Sequence, residues 1–312
     1  MYIGIDIGGT KCAVVKGQRL ANGEIEIIEK IRFDTVGFEE TLQKIIDSVA
    51  SLMPCEKIGI SCGGPLDEKR GVILSPPNLP GWDEVHITEI LEKQFGVPAR
   101  ICNDANACAL AEWKFGAGKG CENMVFMTFG TGLGAGLIID GKLYSGTNGM
   151  AGEAGHIRLE KDGPIGYGKA GSFEGFCSGG GIAKLAKSYA KEALADGRAV
   201  FSCKNEEEIE AITTKKIADL AKSGDKEAIE IFDKSAMKLG MGLSVIIDIL
   251  NPERIVLGGI YTRCEELFSA KMGEVLKSEA LGESLSVCKI VPAALGESIG
   301  DIAALAVADS IN

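Results

Sequence analysis

Two stretches carry the reading of the fold: YIGIDIGGTKCAVV at residues 2–15 and MVFMTFGTGLGAGLIID at residues 124–140. In the first, a β-rich run over Tyr2–Ile7 breaks at Gly8-Gly9-Thr10 and resumes at Cys12–Val15, which predicts strand, glycine turn, strand. In the second, Met124–Phe129 and Ala135–Asp140 flank GTGLG (130–134) in the same way. The halves match in pattern rather than in residue identity, and the repetition suggests a duplicated architecture. Around the first hairpin, residues 24–33 read as a third strand and 38–53 as an amphipathic helix. Lys57–Ser61 follows as a buried strand, 87–95 as a helix stopped by Gly96, Val97–Cys102 as a strand and 105–115 as a helix. This alternation predicts an α/β domain with a mixed sheet. After the second hairpin come a glycine-rich segment (146–181) and helices at 182–195, 214–222 and about 225–250. A strand at 254–257 ends in Gly258-Gly259; a helix at 265–278, a strand at 286–291 and a helix at 298–309 complete the chain. The expected division is a smaller N-terminal domain, 1–118, joined by the C-terminal helix (298–312), and a larger domain, 119–297, with the boundary near GAGKGCE (116–122).

Composition narrows the classes of function. The 312 residues include 33 Lys plus Arg against 44 Asp plus Glu, a formal charge of −11. Such a balance disfavours nucleic acid and anionic membrane as partners, because both need clustered cations. The ten cysteines stand singly with no C-x-x-C, which reads as reduced thiols rather than a disulfide framework. No basic leader opens the chain and no apolar run approaches 18 residues, so a soluble, cytoplasmic protein is expected. Glycine stands out: 42 residues, roughly 13% against an average near 7%.

The glycine turns have a chemistry of their own. Neither a P-loop nor a dinucleotide-binding G-x-G-x-x-G is present. A glycine turn joining two strands can instead present consecutive backbone N–H groups to phosphate oxygens. Asp6 stands at the mouth of the first turn, with Thr10 and Lys11 just beyond. A carboxylate there suits a Mg²⁺ held through water, although a lone D-x-G-G-T also fits a simple Asx-type hairpin turn. The second turn, with Thr131 and Gly132, favours two loops gripping one nucleotide. Asn103-Asp104 lies between a strand and a helix. Asp104 suits either a helix N-cap or a base accepting the proton of an attacking hydroxyl.

Six motifs taken together decide between these readings: GIDIGGTK (4–11), GGPLD (63–67), SPPNLPGW (75–82), NDANACALAE (103–112), FGTGLGAGL (129–137) and GEAGH (152–156). In this order, from residue 3 to about 305, the chain resembles the ROK family of bacterial sugar kinases and sugar-responsive repressors. The resemblance implies a duplicated actin-like, ribonuclease H-like ATPase fold with two domains and a cleft between them, and an ATP- and Mg²⁺-dependent kinase acting on the 6-hydroxyl of a hexose. It makes Asp104 the catalytic base. Gly64, Asn78, Asn103, Asp104, Glu153, His156 and Glu174 line the sugar site. Asp6, Gly8, Gly9, Thr10, Lys11, Thr131 and Gly132 hold the phosphates, with Asp6 on Mg²⁺ through water, and Gly258-Gly259 lies against the adenine. Glucose is the expected sugar, with an N-acetylhexosamine as alternative and a non-catalytic sugar-binding regulator behind both. A homodimer or dimer of dimers is implied.

One departure from the family pattern is visible. Zinc-containing members carry C-x-C-G-x-x-G-C-x-E after the G-H pair. Aligned on Glu174, this chain has Ile165, Tyr167 and Ser172 in place of the three cysteines, while Gly166, Gly168 and Gly171 persist. No zinc is expected, because His156 alone cannot build a tetrahedral site. The repressors of the family carry a helix-turn-helix ahead of the G-x-D-x-G-G-T motif, which here begins at residue 4; together with the charge of −11 this disfavours DNA binding. His86, Trp82, Trp113, Lys215-Lys216 and Glu206-Glu207-Glu208 read as ordinary surface or core residues.

Overall fold

The Gly8-Gly9 turn joins strands β1 (Tyr2–Ile7) and β2 (Lys11–Arg19), which pair antiparallel with Asp6 opposite Ala13 and Ile7 opposite Cys12. The structure, a computed structural model, describes residues 1–311. It divides into two compact units, one formed by Met1–Phe126, Gly136–Ala151 and the segment from Ala293 onward, the other by Met127–Ala135 and Gly152–Pro292.

In the first unit, β3 (Ile25–Asp34) continues the antiparallel meander, and helix α1 (Phe38–Leu52) leads to β4 (Lys57–Cys62). A small hairpin follows, β5 (Leu66–Asp67) and β6 (Val72–Ile73), then α2 (Ile87–Phe95), β7 (Ala99–Asn103) and α3 (Asp104–Phe115). The sheet order is β3-β2-β1-β4-β7, with β4 parallel to both β1 and β7. One face carries Ile3, Ile5, Ile58, Ile60 and Ile101 against Ile45 and Val49 of α1, Leu91 of α2 and the fully buried Trp82.

Strand β8 (Met124–Met127), β9 (Ala135–Ile139) and β10 (Lys142–Tyr144) begin a second five-stranded sheet. Beyond the short hairpin β11 (Ile165–Gly166) and β12 (Lys169–Ala170) come α4 (Phe173–Cys177), α5 (Gly179–Ala195), α6 (Glu206–Glu210), α7 (Thr214–Lys222) and α8 (Lys226–Leu250). Then follow β13 (Arg254–Leu257), α9 (Ile260–Glu279), α10 (Gly282–Val287), β14 (Lys289–Pro292) and α11 (Ile299–Asp309). The second sheet has the order β10-β9-β8-β13-β14. In each sheet the sequence is third, second, first, fourth, fifth strand, so the repeated hairpin pattern marks a duplicated mixed α/β fold. The second unit packs around an aromatic cluster in which Phe268 meets Phe129, Phe232 and Tyr261 with ring centroids 5.3, 5.3 and 5.9 Å apart.

Three boundaries differ from the sequence expectation by three residues or more. Helix α5 begins at Gly179 rather than 182, because the Ser178 hydroxyl accepts from the Gly181 amide and caps a glycine run whose helix propensity is poor. Helix α9 begins at Ile260 rather than 265, with non-helical backbone at Cys264 where two helical pieces meet. The strand expected at 286–291 is Lys289–Pro292, preceded by α10, which buries no residue and so leaves no apolar period to read.

Part of the glycine excess also belongs elsewhere than in ligand loops. A methyl at Gly59 would stand 2.2 Å from the Ala304 carbonyl oxygen, and one at Gly4 2.8 Å from the Leu305 amide. These strand glycines let α11 lie directly on the backbone of β1 and β4. Within the same unit, the buried Glu112 carboxylate accepts from the amides of Ala117, Ala294 and Leu295 at 2.7, 3.2 and 2.9 Å. It fixes the chain both after α3 and after β14.

Candidate functional site

The first unit gathers the N-terminal motifs at the ends of β1, β4 and β7. Strand β1 delivers Asp6 to the glycine turn. There Gly8 donates to the Lys11 carbonyl at 3.2 Å, and the Thr35 hydroxyl donates to the Gly8 carbonyl at 2.6 Å. The turn admits no side chain: a methyl at Gly8 would meet the Lys11 carbonyl at 2.7 Å, and one at Gly9 the Asn78 backbone at 2.6 Å. Asn78 is thus seated directly against the phosphate-type loop. Gly63-Gly64, after β4 and before the cis Gly64–Pro65 bond, lies along Asn103 and Asp104. Added methyls there would stand 3.5 Å from Asn103 Nδ2 and 3.9 Å from Asp104 Oδ2. Asn103 is the N-cap of α3, its side chain accepting from the Ala105 amide at 3.0 Å. The capping role weighed for Asp104 is therefore filled mainly by its neighbour, although Asp104 Oδ1 also accepts from that amide at 2.8 Å.

The electrostatics of this unit are those of a site short of positive charge. Asp6 is half-buried, and its carboxyl is pushed from 3.8 to about 6 by burial first, then by the carboxylates of Asp301 and Asp104, with Lys30 and Arg32 pulling back. Asp104 is open to solvent on one side, yet enough protein surrounds the carboxyl that desolvation raises its pKa, against the backbone amides that lower it. A cation near Asp6 would relieve the carboxylate repulsion, so the residues fit a hydrated Mg²⁺ on a single carboxylate. The cramped glycine turn fits phosphate oxygens, which need backbone N–H groups and no side-chain bulk. Among the described residues, no group of three or more His, Cys, Asp or Glu side chains is arranged to hold a metal ion.

The second unit gathers the remaining motifs around the turn at 130–134. Thr128 Oγ1 accepts from the Gly134 amide at 2.9 Å, and Gly130 donates to the Gly132 carbonyl at 3.1 Å. Glu174 is engaged with this turn: its Oε2 accepts from the Leu133 amide at 3.0 Å, and a methyl at Gly132 would come within 2.8 Å of it. Gly155 packs as closely, a methyl there meeting the Leu133 carbonyl at 2.2 Å, so the 152–156 segment lies on the same loop. Glu153 and His156 are exposed beside it. Gly258 donates to the Met127 carbonyl at 2.9 Å; Gly259, at φ +60°, has no room for a Cβ against the Phe129 carbonyl.

Sequence reasoning missed one element here. The N-terminus of α5 packs on the same turn, with Gly179 donating to the Gly130 carbonyl at 2.7 Å. The visible signal was the run Ser178-Gly179-Gly180-Gly181. The segment where zinc-containing members carry thiolates is held by other means. Arg158 Nη1 donates to the Ala170 carbonyl, Lys169 Nζ to that of His156 and Lys184 Nζ to that of Ile165, each at 2.7 Å. Ser172 Oγ accepts from the Gly175 amide at 3.1 Å, while Tyr167 is 79% exposed and stands edge-on to His156.

The profile described as ROK family matches residues 2–311. The chain belongs to the ROK family. Among its relatives, a glucokinase of Thermotoga maritima is 29% identical, with 98% of this chain and 96% of that protein covered. A xylose repressor of Caldicellulosiruptor bescii is 30% identical over 89% of this chain and 70% of the repressor. A solved ROK glucokinase of Streptomyces griseus, in complex with glucose and AMPPNP, superposes with a TM-score of 0.78 at 32% identity, with 99% of each chain covered. The ROK fold is thus common to kinases and repressors, and function has to be argued from the site.

Proposed function

We propose that this ROK protein is an ATP-dependent hexose kinase that phosphorylates the sugar 6-hydroxyl, with glucose as first substrate and an N-acetylhexosamine as the alternative. The observation that carries the reading is the pairing, within one unit, of two desolvated carboxylates with separate tasks. Asp6 lies at the mouth of a loop with room only for backbone, and Asp104 at the start of α3 beside Asn103 and Gly63-Gly64.

In this reading Asn78 and Asn103 hydrogen-bond sugar hydroxyls, and Gly64 lets the ring approach the backbone. Asp104 accepts the proton of the 6-hydroxyl as that oxygen attacks; its raised pKa makes it a stronger base than an ordinary aspartate. The amides of Gly9 to Lys11 would orient phosphate oxygens, in a turn closed by the Gly8 amide on the Lys11 carbonyl, and Asp6 would hold the hydrated cation. Mg·ATP, when bound, would supply the phosphoryl group, and its cation would offset the developing charge. The family resemblance gives Thr131 and Gly132 to the phosphates, Gly258-Gly259 to the adenine, and Glu153, His156 and Glu174 to the sugar. Because Glu174 already accepts from Leu133, it ties its sugar role to the conformation of the phosphate turn. The working form is a cytoplasmic homodimer or dimer of dimers, to be checked by sedimentation.

The deciding experiment is ADP release by the purified protein over glucose, mannose, fructose, allose, N-acetylglucosamine and N-acetylmannosamine, read as kcat/KM. Turnover of one hexose well above the others is expected. Sugar binding by calorimetry with no turnover of any sugar would overturn the kinase reading in favour of a sugar-binding regulator.

A further inference from the structure

Glu68 follows β5 in the hairpin turn that Asp67 locks, with Asp67 Oδ1 accepting from the Lys69 and Arg70 amides at 3.0 Å each. From this fixed turn the Glu68 side chain reaches the first turn of α3. Its Oε1 accepts from the Asn103 amide at 2.9 Å, from Asn106 Nδ2 at 3.2 Å and from the Cys102 thiol at 3.5 Å. Its Oε2 accepts from the Ser145 hydroxyl at 3.1 Å, tying in the segment after β10. Asn106 is buried, and its Oδ1 has no hydrogen-bond partner, so the bond to Glu68 is what orients its amide. One half-buried carboxylate therefore pins the end of β7, the cap of α3 and the loop after β10, all around Asp104.

We propose that Glu68 is a positioning residue: through the Asn103 amide and Asn106 it fixes the strand-to-helix turn that aims the Asp104 carboxylate. The inference rests on the kinase reading for its catalytic consequence. It acts by reach and hydrogen-bond acceptance, not by charge. A displacement of about 1 Å at a reacting group can cost about 100-fold in rate, and nothing else described holds the Asn103 amide.

Glu68→Gln keeps the reach. Its amide oxygen accepts from Asn103 and Asn106, and its NH₂ donates to Ser145, whose hydroxyl can turn to accept. Glu68→Asp keeps the charge but is one methylene too short. Glu68→Gln is expected within about threefold of the parent kcat. Glu68→Asp should lose about 10- to 100-fold in kcat with less than a fivefold rise in sugar KM, because Asn103 and Asp104 are two of several sugar contacts while proton acceptance by Asp104 is needed in the reaction itself. Hydrogen exchange supplies the readout that does not need turnover: the Asn103 amide should exchange at least tenfold faster in Glu68→Asp and stay protected in Glu68→Gln. Equal kcat in all three proteins, equal loss in both variants, unchanged exchange, or global unfolding of Glu68→Asp would overturn the proposal. A parent protein inactive on every hexose would instead overturn the kinase reading, and the exchange result would still decide the role of Glu68.

Discussion

Asp6→Asn should make the ligand-free protein more stable at neutral pH and, on the kinase reading, abolish its activity. The folded chain holds the Asp6 carboxyl near 6 instead of its ordinary 3.8, chiefly through burial and the neighbouring Asp301 and Asp104 carboxylates. At about 1.4 kcal/mol per tenfold, ionising it in the folded state costs about 3 kcal/mol more than in the unfolded chain. Because Asp6 keeps some contact with water, a discounted figure of about 1–2 kcal/mol is the better expectation. The sign follows from linkage: the folded state binds the Asp6 proton more tightly, so this contribution is complete below pH 3.8 and is lost as pH rises through about 6. Asparagine carries no such cost. Urea unfolding in EDTA at pH 7.5 should therefore show the variant ahead by about 1–2 kcal/mol. The advantage should shrink through pH 6 and disappear towards pH 4. A variant no more stable than the parent at pH 7.5, or an advantage that does not change with pH, would refute the argument that repulsion and burial strain this carboxylate.

On the kinase reading, Asp104→Asn removes the proposed proton acceptor and should lower kcat by at least about 100-fold with little change in sugar affinity; calorimetry beside the ADP-release assay separates the two. On the same reading, the raised pKa of Asp104 should place the acid limb of kcat/KM above the usual aspartate range, which a pH–rate profile measures. Glu112→Ala strips three backbone amides of their shared acceptor and should cost about 4 kcal/mol, with Glu112→Gln milder, by urea unfolding. Gly59→Ala forces a methyl against the Ala304 carbonyl oxygen at 2.2 Å and the Ala308 amide nitrogen at 2.3 Å; backbone cannot rotate aside, so about 3 kcal/mol of destabilisation is expected.

Much of the architecture was legible because its signals are local. The D-x-G-G-T turn between two apolar runs announced the β1–β2 hairpin, and the return of the pattern at 124–140 announced the duplication seen in the two strand orders. The order of motifs was enough to indicate the family, which the profile match over 2–311 bears out. What stayed hidden depends on contacts distant in sequence. Nothing in the sequence singles out Glu68, and only the placement of Asn103, Asn106 and Ser145 shows what it holds. Glu112 reads as the polar end of a helix, yet it is fully buried against amides some 180 residues away. The glycines at 4 and 59 read as part of strands or ligand loops, whereas their neighbours on α11 lie at the far end of the chain.

That last contact also bears on how the protein is made. Strands β1 and β4 leave the ribosome early, but the helix that covers them through Gly4 and Gly59 is encoded at 299–309. Until it arrives, one face of the N-terminal sheet has its apolar surface uncovered. Its completion is a long-range event of the kind that slows folding and invites aggregation or chaperone binding. Loss of residues 299–309 would thus damage first a sheet whose strands are synthesised long before them.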